Sequence, residues 1–463
     1  MAGIGFELRK YLEDDSFSGT VKAYGFAGLI SAGPWVLSIV GVMLIGIVAL
    51  MHDVGTQEIR QFTTSVTWIM GASLVLTGLL QLVFTRFVAD RLYENRLQLI
   101  NANLFGALTI TTAVSGAISL LLALTLFNES FAYEILLASN FIALANVWIV
   151  VIFVAGMKRF KLILYAFAIA YTSTVLLSFL LIPFGLDGLL TGLLLGHVLL
   201  LFLMLAAVIP EYPVILSVRF DFLKRSLIFP GLIAVGFFYN AGIWVDKLIF
   251  WLAPATSSEV IGPLSNSTIY DLPIFLAYLS IIPGMSVFLL RIETDFVQAY
   301  DGFFAAVKGN AGLTEIESLG NQMVQSVREG IFQIIRIQGA TILILYLMGS
   351  TITAWLGISA QYVQLYYINL FGVGAQVLML AVLNVLFYLD KRSEALFITA
   401  TLLLSNSLLT WISLELGPRY YGYGFGVSMT LTAVVSLVIL SRELENLEYQ
   451  TFMKPSGVAG ATT

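Results

Sequence analysis

The sequence has no cysteine, only two histidines and few charges, with Asp, Glu, Lys and Arg making up 11% of its 463 residues. Lack of cysteine rules out disulfides, thiolate nucleophiles and Cys-based zinc or iron–sulfur sites. A soluble chain carries about a quarter charged residues, so a water-facing surface cannot be built from this composition. The net charge of -5 argues against a nucleic-acid partner. No Walker sequence is present, so an ATP-driven pump would need a separate subunit.

The scarce polar chemistry also argues against an enzyme. His52 follows the first apolar run and reads as a solvated loop residue. His197 lies among Leu and Gly, with no carboxylate or second histidine at ligand spacing, and reads as a packed or hydrogen-bonded core group. Gly422, Gly424 and Gly426 have no strand before them, and close helix packing explains them better than a nucleotide loop. No catalytic residue, cofactor site or metal site is assigned.

What the chain does have is apolar length, at 59% hydrophobic residues. A helix needs about 20 apolar residues to cross a hydrocarbon core of roughly 30 Å. Runs of that kind lie near 24–50, 62–88, 102–127, 132–156, 162–182 and 187–209, and again near 226–252, 269–290, 331–355, 361–389, 394–416 and 421–440. The expected fold is therefore an all-α integral membrane protein of about twelve transmembrane helices. The charged first 23 residues lack a cleavable-signal pattern, so the first span is expected to be retained.

Orientation follows from the basic residues, because loops facing the cytoplasm concentrate Lys and Arg. Under this assignment only Arg60 and Arg419 fall on the outer side, and Lys247 and Arg336 lie within spans. An even span count with both termini cytoplasmic is the result. The domains read as a cytoplasmic amphipathic N-terminus 1–23, a first lobe 24–209, an inter-lobe linker 210–225, a second lobe 226–440 and a cytoplasmic tail 441–463. The opening spans of the halves share Gly28-Leu29-Ile30 then Gly33 and Gly231-Leu232-Ile233 then Gly236, which suggests two pseudo-repeated six-helix lobes. The match is short enough for coincidence.

Two segments outside the spans have helical patterns. In the cytoplasmic loop 291–330, Thr314 and Glu317 form a capping-box pattern ahead of Ile316, Leu319, Met323, Val324 and Val327. An amphipathic helix resting on the membrane or a docking surface would both fit. The N-terminus repeats the theme with Ile4, Leu8 and Leu12.

Charges inside a membrane cost roughly 2.5–3.5 kcal/mol each at a helix centre, which makes them functional suspects. Asp246 and Lys247 lie late in the seventh span and Arg336 early in the ninth, where each could also snorkel or pair near an interface. Residues i and i+1 do not face one another on a helix, so Asp246 and Lys247 are expected to need other partners or water. No lone carboxylate sits near mid-membrane, which disfavours ion-coupled antiport. A neutral, hydroxyl-rich cargo fits better, held by hydrogen bonds and aromatic faces. Trp35, Tyr239, Asn240, Trp244 and Tyr278 are candidates, with packing or an interfacial belt as the alternative. The expected transport path thus comprises Tyr239, Asn240, Trp244, Asp246, Lys247 and Arg336.

Three segments carry a family resemblance. Met1-Ala2-Gly3-Ile4-Gly5-Phe6-Glu7-Leu8-Arg9-Lys10, Ser31-Ala32-Gly33-Pro34-Trp35 and Arg291-Ile292-Glu293-Thr294-Asp295-Phe296 together resemble the PelG family. That family is the inner-membrane component of bacterial Pel exopolysaccharide machinery, grouped with multidrug, oligosaccharidyl-lipid and polysaccharide exporters. The resemblance implies a two-lobed twelve-helix transporter whose cargo is a growing polymer rich in N-acetylgalactosamine. It further implies a cytosolic glycosyltransferase and other inner-membrane Pel proteins as partners, including a cyclic-di-GMP receptor. Arg291, Glu293 and Asp295 are a candidate for cytoplasmic coupling or docking. Two other readings stay open, a flippase for lipid-linked oligosaccharide and a membrane scaffold for the synthase.

Overall fold

The computed structural model describes residues 22, 24–28, 30, 33–52, 54–157, 159–213, 217–225, 227–309 and 311–453. The Met1–Lys10 run, the Ile4, Leu8 and Leu12 stripe and the Trp35 side chain lie outside the described residues. The helices are α1 (Gly33–Met51), α2 (Thr56–Tyr93), α3 (Gln98–Thr125), α4 (Phe131–Gly156), α5 (Phe160–Leu180), α6 (Gly185–Val208) and α7 (Pro230–Leu252). A two-stranded antiparallel hairpin, β1 (Ser258–Ile261) and β2 (Leu264–Asn266), follows. Then come α8 (Asp271–Tyr278), α9 (Ile281–Leu290), α10 (Val297–Lys308), α11 (Leu313–Trp355), α12 (Val363–Tyr388), α13 (Arg392–Glu415), α14 (Tyr423–Glu445) and α15 (Leu447–Met453).

Among the described residues, 11 helices are long and apolar enough to cross a membrane, and Val36–Met51 is a shorter apolar helix. In lipid every backbone polar group needs an internal partner, which is why the apolar runs are helical. Many hydroxyls inside them are satisfied locally, as where Thr77 donates to Ser73 O at 2.7 Å and Ser115 to Thr111 O at 2.6 Å.

The chain forms two compact units. Among the described residues, one, here the N-unit, comprises those within 32–272 with 402–416; the other, the C-unit, comprises those within 1–31, 273–401 and 417–463. Helix α7, which opens the second sequence half, therefore belongs to the N-unit, as does the later part of α13.

Within the N-unit α6 packs on α4 and α5, α2 on α4 and α7, and α1 on α5. Its core gathers Phe84, Phe87, Phe153, Phe167 and Phe222. Phe222 comes from the polar stretch after α6 and meets Phe84 edge-on at 5.5 Å. That stretch is a strap bound to α3. Asn101 Nδ2 donates to Ile209 O and Tyr212 O, both at 2.9 Å, and Asp221 N donates to Asn103 Oδ1 at 2.7 Å. Gly106 is required beneath it, because a Cβ there would fall 1.9 Å from Arg219 O.

In the C-unit α12 packs on α14 and α11, and α11 on α9 and α10. The stretch 291–330 is helical except for a short break, since α9 continues through a π-helical turn, Arg291–Phe296, into α10, and α11 begins at Leu313. The capping box expected at Thr314 is not formed. Gly312 is the N-cap, with no side-chain cap bond, and Thr314 already lies inside the helix. At 43 residues, α11 is about 65 Å long by helical rise, so the apolar run read as one span is part of a longer rod. Ile316, Gly320, Met323 and Val327 are buried along it, with Gly320 against Phe303 of α10. The stripe that suggested a membrane-resting helix is thus covered by the neighbouring helix.

Candidate functional site

Helix α7 carries most of the predicted path, and glycine sets its position. It starts at Pro230, where the missing N–H costs nothing. A Cβ on Gly236 would lie 2.1 Å from Gly78 O, and one on Gly78 would lie 2.7 Å from Gly236 O, so the backbones of α7 and α2 cross in contact. One turn on, Asn240 Nδ2 donates to Gly236 O at 2.9 Å. Trp244 is buried against Gly71, where a Cβ would sit 2.8 Å from Trp244 Cε3. Tyr239 is half-buried on the same helix.

Asp246 and Lys247 form the chemically most distinct centre. Their side chains are 0% and 2% exposed, and Lys247 Nζ lies 3.2 Å and 3.3 Å from the two carboxylate oxygens of Asp246. This corrects the expectation that sequence neighbours would not pair. The Cβ vectors do diverge, but the four methylenes of lysine let its ammonium fold back, where it also donates to Ile243 O at 2.9 Å. Neither side chain snorkels to a surface.

Other elements complete the centre. Tyr270 donates its hydroxyl hydrogen to Asp246 Oδ2 at 2.6 Å, and its ring stacks on Phe250 at 4.0 Å. Asn406 of α13 donates from Nδ2 to Gly242 O at 2.8 Å and to Asp246 Oδ1 at 3.3 Å. Thr410 donates in turn to Asn406 Oδ1 at 3.0 Å. Lys247 Nζ also lies 5.7 Å from the Trp244 ring centroid. The result is a zero-net-charge knot in which each charged group has several partners, the condition under which a buried pair is tolerated.

Beside this knot, Trp251 Nε1 donates to Asp271 Oδ1 at 2.7 Å, and Ser267 N donates to Asp271 Oδ2 at 3.1 Å. Trp251 lies 4.9 Å from Trp68 and 6.1 Å from Trp244, giving a row of three indoles. Trp68 donates to Ser265 O of the hairpin at 2.8 Å. Sequence reasoning missed Tyr270, Asp271, Trp251 and Asn406. Asn406 is 160 residues from its carboxylate partner, so no local spacing could have announced it.

The remaining candidates belong to the C-unit. Arg336 is exposed on α11, with its guanidinium 4.1 Å from the Phe332 ring centroid. Tyr278 is buried and meets Phe425 at 6.3 Å. Arg291, Glu293 and Asp295 lie together on the π-helical turn. Arg291 donates to Gln333 Oε1 at 2.6 Å and to Asp295 Oδ2 at 2.8 Å. Glu293 accepts from Asn384 at 2.7 Å and from the Tyr388 hydroxyl at 3.0 Å. These contacts hold the turn to α11 and α12 of the same unit.

His197 is buried, as its surroundings in the sequence suggest, with Nδ1 3.2 Å from Asn140 Oδ1 and Nε2 3.4 Å from the Tyr171 hydroxyl. Among the described residues no group of three or more His, Cys, Asp or Glu could hold a metal ion. Buried polar side chains are overwhelmingly Ser, Thr, Asn and Gln, and the buried charged ones among the described residues are Arg91, Asp246 and Lys247.

Comparison with known proteins adds the wider context. The model of the PelG family, "Putative exopolysaccharide Exporter (EPS-E)", matches residues 1–452. No curated protein matches. Among solved structures, a MOP superfamily transporter from Pyrococcus furiosus is similar at TM-score 0.63 and 12% identity, over 91% of this chain and 96% of that one. A MATE transporter in its straight conformation is similar at TM-score 0.65 and 12% identity, over 92% and 97% of the respective chains. A mutant of the Vibrio cholerae MATE transporter VcmN gives 0.63 and 13%, over 96% and 99%. At these identities the likeness is one of fold.

Proposed function

This chain belongs to the PelG family of exopolysaccharide exporters, and on that premise we propose that it carries a nascent Pel-like, N-acetylgalactosamine-rich polymer across the bacterial inner membrane to the periplasm. It receives the polymer from a cytosolic glycosyltransferase. Other inner-membrane Pel proteins, including a cyclic-di-GMP receptor, assemble with it, and both of its termini are cytoplasmic.

The observation that supports this reading most is the chemistry of the interior. Apart from His197 and from Arg91, which pairs with Glu94, the buried polar groups among the described residues are amides and hydroxyls, and the buried carboxylate of Asp246 is matched by Lys247. Such a lining offers hydrogen bonds without a fixed net charge, which suits a hydroxyl-rich neutral chain. In this proposal the α7 residues Tyr239, Asn240 and Trp244 border the path, and the Asp246–Lys247 knot keeps α7 tied to Tyr270 and Asn406 while the polymer passes. Arg336 lies at the cytoplasmic approach, and the π-helical turn with Arg291, Glu293 and Asp295 couples to the cytosolic partner.

Co-reconstitution with the synthase in vesicles tests the proposal. Polymer made from an external sugar donor should collect in the lumen, free of lipid. Polymer left wholly outside would point instead to a scaffold, and lumenal product still bound to a polyprenyl lipid would point to a flippase.

A further inference from the structure

The best-supplied buried amides bind something visible, but one does not. Asn101 and Asn146 each leave only Oδ1 idle, since their Nδ2 atoms donate to backbone or hydroxyl oxygens. Asn369 on α12 differs. It is 0% exposed, and both its Nδ2 and its Oδ1 lack a hydrogen-bond partner among the described residues. Seven residues along, Gln376 is 3% exposed and its Oε1 is likewise idle. Two helical turns separate the pair, which places both on one face of α12, about 10 Å apart along the axis.

Asn369 lies close to the start of α14. A Cβ on Gly422 would lie 3.3 Å from Asn369 Oδ1, and one on Gly372 would lie 2.5 Å from Phe425 Cε1. Helix α14, which packs on α12, buries Ser428, Thr432 and Ser436 at four-residue spacing. Thr432 and Ser436 donate to their own helix at 2.8 Å and 2.6 Å, which leaves their oxygen lone pairs able to accept.

A buried amide with neither end bonded is costly, and native proteins keep few of them without a ligand, a water or a functional reason. An apolar residue of the same size would serve packing better. We propose that Asn369 and Gln376 form a glycan-binding site within the C-unit, closed over in this conformation, which takes the hydroxyl and acetamido groups of a neutral polysaccharide. The inference rests on the exporter reading above and extends it to a second set of residues. An asparagine donates and accepts at once, matching a pair of adjacent sugar hydroxyls. The two helix positions are about 10 Å apart along the axis, of the order of two pyranose rings, so one glycan segment can engage both.

The test compares wild type with Asn369→Leu and Gln376→Leu, using an N-acetylgalactosamine tetramer as the probe. The tetramer should raise the unfolding temperature of the full-length protein in detergent. Asn369→Leu should unfold at a higher temperature than wild type without the tetramer, because an idle polar group is gone, and should lose the tetramer shift. Its delivery of polymer to the vesicle lumen should fall roughly five- to tenfold, the worth of one buried hydrogen bond. Asn369→Gln should retain part of the shift. A purely structural amide gives the opposite pattern, with Asn369→Leu less stable than wild type. That result, or an undiminished tetramer shift in the Leu variants, would overturn the site. If wild-type vesicles gather polymer and both Leu variants match them, the site fails while the exporter reading stands. If wild-type vesicles gather none, the exporter reading fails, and the tetramer shift still judges the site.

Discussion

Tyr270 donates a hydrogen bond of 2.6 Å to Asp246, so the carboxylate paired with Lys247 is also held from outside its own helix. Removing that hydroxyl leaves a charged acceptor short of a donor in a buried setting. Tyr270→Phe should lower stability by about 1.5–3 kcal/mol, the value of a bond to a charged group. Thermal unfolding in detergent measures it, with the ring stack on Phe250 retained.

The ion pair itself predicts strong non-additivity. Asp246→Asn or Lys247→Met alone strands a buried charge and should cost about 3–5 kcal/mol, whereas the double variant strands none and should recover much of the loss. Export at normal protein levels should follow the same order. Equal and additive losses would mean that the two groups act separately.

Much of the fold was legible and much of the site was not, for separate reasons. Apolar runs of bilayer length announce helices because lipid gives the backbone no alternative. Helix α11 was only partly legible. Its first turns are amphipathic, so they read as a separate helix in a cytoplasmic loop, although they continue the same rod as the span. Asp246 and Lys247 stood out as charges in an apolar run, yet their pairing did not, because a helical wheel places Cβ atoms and ignores the reach of a lysine. Tyr270 and Asn406 are ordinary residues until the fold brings them to the carboxylate. Asn369 gave no signal either, since an idle amide is a property of its neighbours.

The crossing of α2 and α7 predicts a sharp contrast between two glycines of one helix. Gly236→Ala would place a methyl 2.1 Å from Gly78 O, whereas Gly231 has nothing within 4 Å of its Cβ position. Gly236→Ala should therefore destabilise by about 1–3 kcal/mol or more through overpacking, and Gly231→Ala should be tolerated. Yields of folded protein and unfolding temperatures distinguish them.

The strap over α3 carries a pH dependence outside the spans. The Lys224 ammonium bonded to Asp221 holds that carboxyl below its usual range, and Asn103 adds a second bond. A carboxyl with a lowered folded-state pKa stabilises fully above the ordinary carboxylate pKa of about 4 and loses that contribution as pH falls through the folded value. Wild type should accordingly exceed Asp221→Asn in stability at neutral pH, and the gap should close as the pH drops below about 4. Unfolding series on both proteins across that range provide the check.

The claim at the centre of the account is that polymer passes through the interior of this chain. An aromatic photo-crosslinker can replace Tyr239, half-buried on α7, or Trp355, which is 87% exposed at the end of α11. Illuminated while the synthase runs, the protein labelled at position 239 should capture radiolabelled polymer, and the protein labelled at 355 should not. Adducts at 355 with none at 239, under continued secretion, would contradict the account.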